Sequence, residues 1–164
     1  MDRDRLCQYL EEKKIFLCIR LHLYDQTGYQ WLQKMDRAGS RIRFLNEDRV
    51  ADIMEVLKEF DLLITDYSSI YMDYLLTGKP VLFLPYDQEE YLKDRGMNFP
   101  YDQVTPGPKP KTFQEFLNSM EDLLYNHDGY VRQRESVNNF LNEIQRPCCA
   151  DICKYTRELL DWRE

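Results

Sequence analysis

Thr65, Asp66, Ser68 and Ser69 fall within five positions, between the apolar run Leu62 to Ile64 and the apolar positions Ile70, Tyr71, Tyr74 and Leu75. Oxygen-bearing side chains at such a junction have two uses. They cap the first turn of a helix, or they join the free backbone N–H groups and the positive end of the helix dipole in holding an anion such as phosphate. The segment alone leaves both readings open. Arg20 and His22 follow the apolar run Ile15 to Ile19, and their spacing of two places them on one face of a strand. A cationic pair there suits an anion, although in isolation a solvent-facing arginine and a satisfied loop histidine is the favoured reading. Glu89 and Glu90 add paired acids after the run Val81 to Leu84.

These side chains need a scaffold that brings strand ends together. Residues 3 to 14 read as a charged amphipathic helix with Leu6, Tyr9 and Leu10 on one face. Ile15 to Ile19 reads as a buried strand, Gln30 to Ala38 as a helix stopping near Gly39, and Arg41 to Leu45 as a half-buried or edge strand. Asp48 is placed to cap a helix with Val50, Ile53, Met54 and Leu57 on one stripe. Then come the strand Leu62 to Ile64, a helix from about Ser68 to Thr77 ended by Gly78, and the strand Val81 to Leu84 closed by Pro85. Alternation of this kind predicts an α/β fold, a Rossmann-like parallel sheet with helices on both faces, whose ligands bind at the carboxyl edge. A short helix should carry Glu89 and Glu90, and the stretch from Asn98 to Lys111, with four prolines, should be the least regular part. Three helices are expected to finish the chain: Phe113 to Tyr125, Tyr130 to Ile144 and Asp151 to Trp162.

A chain of 164 residues with 43% hydrophobic and 31% charged residues fits one domain, 1–164, with a real core. Its net charge of −7 argues against a nucleic-acid partner, because backbone affinity comes from clustered Lys and Arg. No apolar run approaches the roughly 18 residues of a membrane span, and the start Met1-Asp2-Arg3-Asp4-Arg5 is not a signal peptide, so a cytoplasmic setting is expected. Cys7, Cys18, Cys148, Cys149 and Cys153 are odd in number and read as thiols. The last three lack a second Cys/His pair, so no metal site and no cofactor is expected. Phosphate-loop, dinucleotide, H-E-x-x-H and G-x-S-x-G motifs do not occur. What is left, His22, Asp66, Ser68 and Ser69 at strand ends beside a helix start, can hold a pyrophosphate without metal. Attack on one phosphorus would then be a transfer reaction.

The ordered set Thr65-Asp66-Tyr67-Ser68-Ser69, Asp73-Tyr74, Lys79-Pro80-Val81, Tyr86-Asp87-x-Glu89-Glu90-Tyr91, Arg95-Gly96 and Pro106-Gly107-Pro108 with Thr112 resembles the CDP-glycerol:poly(glycerophosphate) glycerophosphotransferases of teichoic acid synthesis. Arg20-Leu21-His22 looks like that family's histidine element, with Leu23 where proline is usual. The resemblance covers roughly residues 15 to 115. It implies the C-terminal half of a GT-B fold, which holds the nucleotide donor, with the N-terminal acceptor half absent from this chain. A CDP-glycerol or CDP-ribitol donor is implied, attacked at its β-phosphorus by a hydroxyl of a polymer acceptor, with CMP leaving. His22 would neutralise the pyrophosphate, Ser68 and Ser69 would hold phosphate, and Glu89 or Glu90 would bind donor hydroxyls. Arg20, Thr65, Asp66, Tyr67, Asp73, Gly107 and Thr112 complete the implied substrate contacts. Association with the inner face of the membrane would run through the N-terminal half. The tail Arg146 to Asp151 lacks the Asp-Gly usual before the last helix. Another GT-B donor domain taking a different nucleotide sugar, and a nucleotide-binding fragment without turnover, are the alternative readings.

Overall fold

The structure, a computed structural model, describes residues 2–21 and 34–161. The chain divides into two compact units, Met1–Glu59 and Phe60–Glu164. In the first, α1 (Arg3–Glu12) starts where the Asp2 carboxylate accepts the Arg5 amide at 3.2 Å, and it buries Leu6 and Leu10. Lys14, at φ +57°, turns the chain into β1 (Leu17–Ile19). β1 pairs in parallel with β2 (Ile42–Phe44), Leu17 opposite Ile42 and Ile19 opposite Phe44. Ile42 and Phe44 are buried while Arg43 between them is not, the alternation expected of a half-buried strand. The Asp36 carboxylate accepts the Phe44 amide at 2.9 Å and pairs with Arg49 at 2.5 Å. That amide hydrogen bond, with help from Arg49, holds the Asp36 carboxyl below its ordinary pKa.

The helix expected after Asp48 is replaced by two 3₁₀ turns, Ile53–Glu55 and Leu57–Glu59. Asp52 is the cap instead, accepting the Met54 amide at 2.9 Å, and this local bond starts the chain in a tighter turn than the apolar stripe suggested. Part of the helix expected over Gln30 to Ala38 lies outside the described residues; Lys34 to Ala38 is not helical.

The second unit is built on β3 (Leu63–Thr65) and β4 (Val81–Phe83), parallel, with Leu63 opposite Val81 and Thr65 opposite Phe83. All three β4 side chains are fully buried. α2 (Ile70–Tyr74) runs on into a 3₁₀ turn, Leu75–Thr77, ended by Gly78 at φ +71°. Tyr74, completely buried, donates its hydroxyl to the Phe60 carbonyl at 2.8 Å. α3 (Gln88–Asp94) follows β4, and α4 (Tyr101–Val104) is a short helix inside the proline-rich stretch that was expected to be irregular. Beyond α4 the chain returns along the free side of β4, where the Phe83 amide donates to the Pro108 carbonyl at 3.0 Å. A Cβ on Gly107 would stand 2.0 Å from the Val81 carbonyl oxygen, so only glycine fits this approach.

α5 (Phe113–Tyr125) spans the expected residues and buries Leu117, Met120 and Leu123. α6 (Val131–Leu141) carries Arg134, 4% exposed, which forms a two-pronged pair with Asp128 at 3.0 and 2.5 Å and donates to the Gly78 carbonyl at 3.3 Å. It thereby ties α6 to the end of the α2 turn. α7 (Cys149–Asp161) is exposed from Cys149 to Leu160. No helix among the described residues is long and apolar enough to cross a membrane.

Candidate functional site

The carboxyl end of β3 is a tight turn made by its own side chains. Thr65 closes the strand, its carbonyl accepting the Leu84 amide at 2.8 Å. The Asp66 carboxylate then accepts the Ser68 amide at 3.1 Å, an Asx turn that reverses the chain into α2. Ser68 Oγ lies 3.5 Å from the Ile70 amide, the outer limit of a hydrogen bond, and Ser69 makes no side-chain capping bond. Capping therefore leaves both hydroxyls largely uncommitted. Both serines are exposed, side by side at the start of α2. Asp73, exposed on the first turn of α2, lies on the same short element.

Three tyrosines hold this turn from beneath. The Tyr67 ring stacks on Tyr91 of α3, with centroids 4.1 Å apart and planes 21° apart, and is tilted against Tyr101 of α4 at 5.6 Å. Its hydroxyl oxygen accepts the Asp87 amide at 3.3 Å, while the Tyr101 hydroxyl donates to the Asp66 carbonyl at 3.0 Å. Burial first, and the Asp87 side chain next, push the Tyr67 phenol up to about 12. Burial raises Tyr101 as well. Both phenols are thus neutral donors at any physiological pH. Glu89 and Glu90 stand exposed on the first turn of α3, the helix on which Tyr91 meets Tyr67.

Other expected contacts are employed elsewhere. The Arg20 guanidinium donates to the carbonyls of Leu45, Val50 and Ala51 at 3.2, 2.7 and 3.5 Å, so it clasps the loop after β2. Gly107 is buried against β4 and makes the close backbone approach described above. Thr112 caps α5: its hydroxyl accepts the Glu115 amide at 3.2 Å, while the Glu115 carboxylate accepts the Lys111 amide at 2.8 Å. That second bond keeps Glu115 below its ordinary pKa. His22 lies outside the described residues. The described residues contain no cluster of His, Cys, Asp and Glu fit for a metal ion, and Cys149 and Cys153 are exposed on α7.

Asp87, Tyr91, Tyr101 and the Asp128–Arg134 pair were not assigned a role from the sequence. Asp87 and Tyr91 stood in the motif that carried the resemblance, which was the available signal. Nothing in the spacing of Tyr101 or Arg134 connects either to its partner.

Comparison with known proteins gives the chain its relatives. The chain is 30% identical over 132 residues to the teichoic acid poly(ribitol-phosphate) polymerase of Bacillus spizizenii, covering 78% of this chain and 20% of that protein. It is 46% identical over 71 residues to the teichoic acid glycerol-phosphate primase of the same organism, covering 43% of this chain and 18% of the relative. The chain therefore spans about a fifth of the length of these curated relatives. Among solved structures, that of the wall teichoic acid polymerase TagF superposes with a TM-score of 0.66 at 23% identity, covering 97% of this chain and 39% of TagF. A TagF variant soaked with CDPG matches at a TM-score of 0.64. The α/β fold is that of these proteins, and because the model of the CDP-Glycerol:Poly(glycerophosphate) glycerophosphotransferase family matches residues 1–146, the chain belongs to that family.

Proposed function

We propose that this chain is the donor-binding part of a glycerophosphotransferase that takes a CDP-linked polyol, CDP-glycerol or CDP-ribitol, and passes the polyol phosphate to a growing surface polymer. The observation that carries this reading is the exposed Ser68–Ser69 turn at the end of a parallel strand, with hydroxyls that capping does not consume. Membership of the family supports the donor class.

In this reading the pyrophosphate lies on the turn, where the serine hydroxyls and the opening amides of α2 donate to its oxygens. Glu89 and Glu90 accept from donor hydroxyls, and His22 adds positive charge to the pyrophosphate. An acceptor hydroxyl attacks the β-phosphorus, a new O–P bond forms, and the bond from that phosphorus to the bridging oxygen breaks. CMP departs with that oxygen. The charge building on CMP is the charge the turn is placed to stabilise. The polymer acceptor, the segment that binds it and any contact with the inner face of the membrane belong to the rest of a longer enzyme.

The test is calorimetry of CDP-glycerol binding to the purified chain, with CMP and a UDP-sugar as competitors. Saturable binding that CMP displaces and the UDP-sugar does not is the expected result. A folded sample that prefers the UDP-sugar, or that binds neither ligand, would overturn the assignment.

A further inference from the structure

Tyr67 lies inside the phosphate turn, between Asp66 and Ser68, yet its side chain is committed inward. Three elements converge on it: Tyr91 from α3, Tyr101 from α4, and Asp87 from the loop that leaves β4. Asp87 occupies the position before α3 where a carboxylate ordinarily accepts the helix's first amides, but it makes no capping bond. Its Oδ1 is shut away from solvent with no hydrogen-bond partner. A carboxylate oxygen denied both water and the helix amides is held there against its own solvation, which a capping role does not account for.

We propose that Tyr67 and Asp87 form a positioning latch that fixes the Ser68–Ser69 turn against the acidic helix α3, so that the phosphate end and the polyol end of one donor are held in register. The proposal rests on the donor-binding reading above. Tyr67 is fastened to α3 twice, through the ring stack on Tyr91 and through the Asp87 amide at its hydroxyl. Its neighbour Asp66 is fastened to α4 through the Tyr101 hydroxyl. Moving α3 therefore moves the residue that precedes Ser68. Neither Asp87 nor Tyr67 touches the donor in this account; both act through the turn, and their contribution is the geometry in which Ser68, Ser69, Glu89 and Glu90 meet it.

The experiment is a double-mutant cycle with Tyr67→Phe and Tyr91→Ala, which remove the acceptor of the Asp87 amide and the ring stack in turn, read by CDP-glycerol calorimetry and by the amide resonances of Ser68, Ser69, Glu89 and Glu90. Tyr67→Phe keeps the ring stack and removes only the hydroxyl, so the fold is retained. Each single substitution removes one of the two fastenings of Tyr67 to α3 and is expected to weaken CDP-glycerol about five- to tenfold. The double variant should be no weaker than the worse single, cytidine binding should be unchanged, and Tyr91→Phe, which keeps the ring that stacks on Tyr67, should bind within about twofold of the parent. Losses that multiply in the double variant, or amide resonances that stay in place in both singles, would overturn the latch. If the unmodified chain does not bind CDP-glycerol, the donor reading fails and the resonances decide alone: joint displacement of the serine and glutamate amides supports the latch, and unmoved amides refute it.

Discussion

A phosphate on the Ser68–Ser69 turn needs small side chains as well as donors, because an oxygen must come within about 3 Å of the amides. Ser68→Val removes a hydroxyl and adds branched bulk at an exposed position. CDP-glycerol affinity should fall at least tenfold by calorimetry, with a thermal midpoint within a few degrees of the parent, since exposed substitutions rarely cost more than about 0.5 kcal/mol. Unchanged affinity would reduce Ser68 to a turn residue. His22→Ala should weaken CDP-glycerol and CMP more than cytidine, because a cation acts on phosphate and not on a nucleoside; equal losses would reject the role. The strand, turn and helix start around Asp66 were readable because Asp66 and the serines have few uses between a strand and a helix. Arg20, Tyr67 and Thr112, expected as substrate contacts, have partners in the structure that the sequence did not show, for a common reason. Each has a long or polar side chain beside a predicted ligand edge, and sequence does not disclose that backbone carbonyls, a tyrosine stack and a helix amide claim them first.

Between elements, one glycine and one ion pair carry disproportionate weight. Gly107→Ala would drive a methyl group into the Val81 carbonyl, and the resulting displacement should cost about 1–3 kcal/mol in denaturant unfolding. The Asp128–Arg134 pair ties α6 to the α2 turn, and breaking it with Arg134→Ala should cost about 3 kcal/mol, as expected when one member of a buried pair is left alone. Burial raises the Asp128 carboxyl, but the Arg134 and Tyr130 hydrogen bonds and nearby positive charge outweigh it, so its pKa is lowered on folding. A carboxyl with a depressed folded pKa contributes stability that is fully present above its unfolded value near 4 and is lost as pH falls through the folded value. Urea midpoints measured from pH 7 downward should therefore decline more steeply below about pH 4 in the parent than in Asp128→Asn. The helix α5 spans the residues expected of it, Phe113 to Tyr125. The turns after Asp48 were not legible, because Val50, Ile53, Met54 and Leu57 satisfy a helical stripe whether or not the backbone closes as one, and Asp52 decides the matter locally.

For the molecule as a whole, the parallel strand pairs and the family were legible from the order of motifs, since no single motif would have sufficed. The burial of Arg134 was not, because it depends on contacts far apart in sequence. A chain spanning about a fifth of its relatives' length should bind donor without extending polymer. Incubated with CDP-glycerol and an acceptor oligomer, it should release no CMP above background, and turnover by the chain alone would contradict its assignment as the donor-binding part. One further consequence follows from the segment along β4. Every strand pair has two outer rims, and an unclaimed rim invites a second molecule to add its own strand, the first step toward fibrils. The rim of β4 is occupied by a stretch in which Pro106, Pro108 and Pro110 have no N–H to offer, and the Phe83 amide is already engaged by Pro108. The same residues that bring Gly107 against the strand therefore stop the sheet from growing, so concentrated samples should resist self-assembly through this rim.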